Sequence, residues 1–228
     1  MQSGKITKAR SDEEKRRYDD ACAAAHGMDL IGERWSMPLI RELLLGPRRF
    51  GDLKASLNGI SANVLTQRLE GLEGAGVLVR RKLPPPASVQ VYELTPWGQE
   101  SAPIFQALGR WAVRSPRHDP TRPFSPVSLM LSLRTMMSDG AAGDLEAAIQ
   151  LEMDGEPFFW IRKGGDVRIG RGAIDVPDLI VRGSPSAIAG FVYAGAPLST
   201  IEIAGDAELA ALLPSLFPMP AKAALASG

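Results

Sequence analysis

Cysteine is nearly absent from this 228-residue chain, Cys22 being the only one. A disulfide framework within the chain and cysteine-rich zinc sites are thereby excluded, and a reducing compartment is the simpler setting. Histidine is scarce as well, with only His26 and His118. There is no phosphate-cradling glycine loop and no serine-nucleophile elbow, so little supports an enzyme, and nothing calls for a cofactor or a metal. Long apolar runs are missing: the longest, Ala187 to Leu198, is short and broken by Gly190, Gly195 and Pro197, which argues against a membrane span. The opening MQSGKITKARSDEEKRRYDD is charged and carries no apolar signal core, so the expected location is the cytoplasm.

Net charge is also lacking overall, but unevenly. Before His118 there are 18 basic and 13 acidic side chains, and after it 8 and 13, so a +5 half is joined to a −5 half. Such asymmetry fits one part facing a polyanion and another that does not, because surface charge governs steering and nonspecific association.

The pattern predicts an α+β protein of two domains. Residues 1–20 read as a flexible, charge-dense arm. Residues 21–114 read as a winged helix-turn-helix domain. Two helical runs separated near Gly32 carry Leu30, Ile31, Trp35, Leu39, Ile40, Leu43 and Leu44 as core candidates. Residues 115–126, rich in proline and charge, read as a linker. Residues 127–218 read as a smaller α+β domain, with a helix from Ser128 to about Met137 and a strand over Ala148 to Met153. A hairpin hinged at Gly164-Gly165 follows, then a strand over Leu179 to Gly183, a helix from Ser186 to Tyr193, a strand over Thr200 to Ala204 and a last helix from Asp206 to Phe217. Residues 219–228 read as a disordered tail.

The stretch from Arg48 to Lys82 is the most informative. Leu65, Leu69 and Leu72 fall at i, i+4 and i+7, which lines and buries one helical face and turns Asn63, Thr66, Gln67 and Glu70 outwards. Asn58-Gly59 supplies a turn that accepts positive φ, and Ser61 is placed to cap the next helix. Val77-Leu78-Val79 then leads into Arg80, Arg81 and Lys82, and after a proline-rich loop the chain returns as a strand over Val89 to Thr95. Amides and hydroxyls on a protruding helix suit base edges in the major groove, and neighbouring cations suit phosphates. An ordinary helix pair with a solvated face is the alternative on pattern alone. Beyond Thr95-Pro96 a further helix carries Ile104, Leu108 and Trp111 on one stripe, fit to pack on a second subunit.

These residues resemble the HxlR-type winged helix-turn-helix regulators, through LIGERWSMPLIRELLLGPRRFGDL, GISANVLTQRLEGLEGAGVLVRR and VYELTPWG in order, followed by Trp111. The resemblance covers Cys22 to Trp111. It implies a homodimer on double-stranded operator DNA, with Ser61, Asn63, Val64, Thr66 and Gln67 on the recognition helix. It further implies that Arg48, Arg49 and Arg68 are basic contacts and that Arg80, Arg81 and Lys82 form the wing strand. Arg68 also reads as a core-flanking side chain in a salt bridge, and the wing cluster as a solvated strand end. A redox role for Cys22 is implied as well, with a small packed residue as its alternative; His26, one helical turn later in the sequence, is placed to lower its pKa.

The run DVPDLIVRGSPSAIAGFVYAGAPLSTIEIAGDAELAALLPSLF resembles, more loosely, a sterol-carrier-protein-like domain. That resemblance implies an apolar cavity for a small hydrophobic ligand, with Phe158, Phe159, Trp160, Ile188, Phe191 and Leu212 as candidates, each of which also reads as plain core. A DNA-binding regulator is the leading expectation. A lipid or hydrophobe carrier whose winged domain mediates protein contacts is the alternative.

Overall fold

The computed structural model describes residues 18–224. The expectations for the arm over residues 1–17 and the tail over 225–228 lie outside the described residues.

The first half folds as α1 (Ala23–Ile31), α2 (Ser36–Leu43), α3 (Phe50–Ser56), α4 (Ala62–Gly74), β1 (Leu78–Lys82), β2 (Gln90–Leu94), α5 (Pro96–Gln99) and α6 (Ala102–Ala112). The spaced leucines drive it: Leu39, Ile40 and Leu43 of α2 meet Leu65, Leu69 and Leu72 of α4 in one core, each no more than 2% exposed. Gly59, at φ 88°, makes the tight turn between α3 and α4 that few other residues adopt without strain. The Ser61 hydroxyl accepts a hydrogen bond from the Val64 amide at 3.2 Å and caps α4. β1 and β2 pair antiparallel from Leu78 opposite Leu94 to Lys82 opposite Gln90.

The single helix expected after Thr95 is two. Pro103 has no N–H to donate to the Gln99 carbonyl, so a continuous helix breaks there and restarts at Ala102, with proline tolerated in its first turn.

The second half comprises α7 (Pro126–Met136), α8 (Asp139–Ala142), β3 (Ala147–Met153), β4 (Glu156–Lys163), β5 (Asp166–Arg171), β6 (Leu179–Arg182), α9 (Pro185–Ala194), β7 (Glu202–Gly205) and α10 (Ala207–Leu216). The strand order is β5-β4-β3-β6-β7, with only the β3 and β6 pair parallel. Phe158, Trp160 and Arg162 alternate inward along β4, as a sheet with one covered face requires. Gly205 sits at φ 102° where a Cβ would lie 2.3 Å from the Asp178 carbonyl oxygen, so the chain can turn there into the Asp206 cap of α10 only without a side chain.

The two halves are packed together. Val113, at the end of α6, is buried in the second core, and Leu44, Leu45 and Phe105 of the first half pack against it. Glu42, 1% exposed, accepts hydrogen bonds from Ser125 at 2.7 Å and from the neighbouring Arg41. The Arg110 Nε donates to the Thr135 carbonyl at 2.8 Å.

Within the expected tail, the described residues 219–224 make hydrogen bonds to the end of α6. Ala223 N–H donates to the Arg114 carbonyl at 2.7 Å, and the Lys222 ammonium donates to the Val113 carbonyl at 2.9 Å. A cation at the C-terminal end of α6 satisfies carbonyls that the helix leaves open, which a composition argument does not register. Among the described residues no helix is long and apolar enough to cross a membrane.

Candidate nucleic-acid interface

Helix α4 separates its faces cleanly. Leu65, Leu69 and Leu72 are buried, while Ser61, Asn63, Thr66, Gln67 and Glu70 are exposed. The cap bond at Ser61 leaves its hydroxyl proton available, and the helix N-terminus carries partial positive charge suited to a phosphate. Val64 departs from the expected reading set, because it is half-buried and packs against the winged-helix core. Its position one residue before Leu65 puts it at the edge of the apolar stripe, where a β-branched side chain is drawn inwards.

The cations divide into three kinds. Arg49 and Lys82 are exposed and make no ion pair among the described residues. Arg80 and Arg81 are exposed on β1 but paired on the surface, Arg80 with Glu73 at 2.9 Å and Arg81 with Glu93. Each carboxylate, chiefly through its hydrogen bond, raises the pKa of its arginine. Exposed pairs of this kind are screened by water and weak, so other anions can compete with the glutamates. Thr95 steadies the wing's base by donating to the Gly76 carbonyl at 2.8 Å and accepting from the Gly98 amide at 2.9 Å.

Arg48 and Arg68 are of the third kind, half-buried and held in ion pairs beside the core. Arg48 does not stand out towards a phosphate: its side chain is 16% exposed and its Nη1 donates to Glu156 of the second half at 3.0 Å. Its backbone pairs with Tyr92 of β2 in both directions, which fixes the residue beside the wing while its side chain reaches the second half. Arg68 pairs with Glu33 at 3.2 Å beside the core, the structural reading of the two left open by its position. The partners Glu156 and Glu33 gave no local signal, since one lies 108 residues away from Arg48 and the other belongs to the loop before α2.

Cys22 is exposed at the N-terminus of α1. The backbone amides of Ala25 and Ala24 lower its pKa by favouring the thiolate. The expected source was His26. That ring instead lies 3.9 Å from Asp29.

In the second half the six pocket candidates are not brought together. Trp160 and Ile188 border a cavity of about 10 Å³, whereas Phe158, Phe159, Phe191 and Leu212 do not. That space is no larger than about one water and its lining is apolar, so it is too small to hold a lipid. Phe217 closes it, edge-on to Trp160 at 5.7 Å. Leu212 lies on the outer face of α10, 47% exposed, and its neighbour Leu213 takes the inward place because successive helical residues turn by 100°.

The HxlR-like helix-turn-helix family profile matches residues 30–119. YvaP of Bacillus subtilis, described as an uncharacterized HTH-type transcriptional regulator, is 37% identical over 86 residues, covering 37% of this chain and 79% of that protein. The regulator sll1512 of Synechocystis sp. is 38% identical over 87 residues, covering 38% of this chain and 64% of its own length. The HTH-type transcriptional regulator YodB of Bacillus subtilis is 34% identical over 83 residues, covering 36% and 74%. Residues 120–228 fall outside the matched profile. With its capped helix, its exposed polar face and its cationic wing, this chain belongs to the HxlR-like helix-turn-helix family of transcriptional regulators.

Proposed function

We propose that the protein is a cytoplasmic homodimer that binds a palindromic operator, with α4 of each subunit in successive major grooves and β1 along the backbone. The observation that carries this reading is the exposed row Ser61, Asn63, Thr66 and Gln67 above a buried leucine face on a capped helix. Asn63 and Gln67 read base edges, and Arg49, Arg80, Arg81 and Lys82 hold phosphates. To test it, fragments bound by the full chain are selected from random duplexes, and the preferred sequence is titrated at several salt concentrations. Gln67→Ala should lower discrimination between preferred and scrambled duplex by about ten- to a hundredfold, the worth of one good base contact. Arg81→Ala should weaken both duplexes alike and reduce the salt slope by about one. Wild-type affinity that is equal for all duplexes would reject the docking.

The dimer face of this reading is α6. No side chain of the helix is fully buried, and Ile104, Leu108 and Trp111 are 55%, 43% and 74% exposed along one stripe. An apolar stripe of that kind is stabilised by a matching copy. Trp111→Arg should convert the protein to a monomer by sedimentation while leaving its circular dichroism intact; a wild-type chain that sediments as a monomer would remove the two-fold element.

The fold of the second half is consistent with the sterol-carrier-like reading in its order: strand β6, helix α9, strand β7 ending at Gly205, Asp206, then α10. Its closed interior favours a packing role over lipid carriage.

A further inference from the structure

A wide concavity bordered by both halves lies outside either core. It is a cleft of about 620 Å³ between the α2–α3 region, the segment before α7, and the β3–β4 turn with Arg171 of β5. That volume is in the range of sites for drug-sized molecules. Trp35, Pro38, Phe124 and Met153 supply apolar wall. Trp35 is itself held at φ 80°, a backbone conformation costly for a bulky residue, and strain of this kind is characteristic of functional sites.

At one side of the cleft two guanidiniums share one carboxylate. Arg48 Nη1 donates to Glu156 Oε1 and Oε2 at 3.0 and 3.2 Å, and Arg171 Nη1 donates to Oε2. Arg171 also lies over the Phe158 ring at 4.9 Å, which fixes its plane. Neither Nε has an acceptor in the structure, and Asp52, at 3.9 Å from Arg48 Nε, is too distant for a hydrogen bond. The buried carboxylate of Glu42, which also borders the cleft, is already taken by Arg41 and Ser125. What the cleft leaves unsatisfied is donors.

The three groups differ in exposure in a way that matters. The arginine side chains are 16% and 20% exposed, and Glu156, beside the Gly155 turn, is 45% exposed. Glu156 can swing into water at little cost, whereas the guanidiniums cannot leave and need an anion between them. The position is also dimensioned for two oxygens on one carbon, since Glu156 now fills it.

We propose that this cleft binds an aromatic carboxylate, whose anionic end replaces Glu156 between Arg48 and Arg171 while its ring lies against Trp35 and Phe124. Occupancy then breaks the Arg48–Glu156 ion pair that ties the winged half to the second half. That this bears on operator affinity rests on the function proposed above; the binding itself does not.

The test is calorimetric titration of the full chain with sodium 2-naphthoate and, separately, with the neutral 2-naphthamide. The carboxylate should bind saturably and the amide at least about tenfold more weakly, the least that a charge-assisted pair contributes. Glu156→Gln removes the internal competitor and should tighten naphthoate binding by about tenfold or more, whereas Arg171→Met should weaken it by at least as much. Equal affinity for acid and amide would overturn the proposal, as would absence of saturable binding in both the wild type and Glu156→Gln. The ligand pair on the wild type decides the matter even if Arg171→Met fails to fold. No duplex is present in the titration, so a chain that bound no operator would leave this result standing, and a failed titration would leave operator binding untouched.

Discussion

Leu69→Ala should destabilise the protein by about 2–5 kcal/mol and abolish operator binding, although Leu69 touches no nucleotide in the proposed complex. The side chain is 1% exposed and sits in the middle of the buried face of α4, against α2. Truncation removes transfer free energy and leaves a cavity under the very helix whose outer face must be held rigid. Two residues before it and on the opposite, exposed face, Gln67→Ala should change stability by no more than about 0.5 kcal/mol while still lowering sequence discrimination. Chemical denaturation of both variants, followed by circular dichroism and paired with duplex titration, separates the two roles. Should Leu69→Ala melt with the wild type, or Gln67→Ala prove strongly destabilising, the assignment of inner and outer faces would be reversed.

In the second half the largest loss is expected for Trp160→Ala, about 3–5 kcal/mol. Trp160 is 1% exposed on β4, pairs with Ile149 of β3 and meets Phe217 edge-on, so its ring joins sheet to the end of α10. Aromatic pairs in this geometry add about 0.5–1.5 kcal/mol beyond area burial. Phe217 closes the small interior space, and without the indole that space opens into a cavity bordered by Ile188, Leu213 and Phe217. Urea denaturation measures the loss. A cost under about 1 kcal/mol would mean that the helices collapse onto the sheet and that Trp160 does not organise this core. Because Val113, Leu44 and Phe105 reach into the same core, the damage should spread to the winged half and make unfolding of the two halves coincide.

The amino-acid order by itself determined the elements whose causes are local. The i, i+4, i+7 leucines, the Ser61 cap and the Gly59 turn each follow from helical periodicity or turn chemistry over a few residues, and they are legible for that reason. The outward polar row of α4 is legible too, because burying one face of a helix dictates the other. Tertiary structure alone decided which charges are available. Arg48, Arg49, Arg80 and Arg81 look alike in sequence, yet only the fold brings Glu156 from 108 residues away to hold Arg48 between the halves. The same holds for the second half, where packing volume settles whether apolar residues enclose a cavity or fill it: Phe217 fills it, and Leu213 rather than Leu212 faces inwards. Local geometry is a property of neighbours along the chain, whereas ion pairing and close packing depend on what distant segments deliver to the same place.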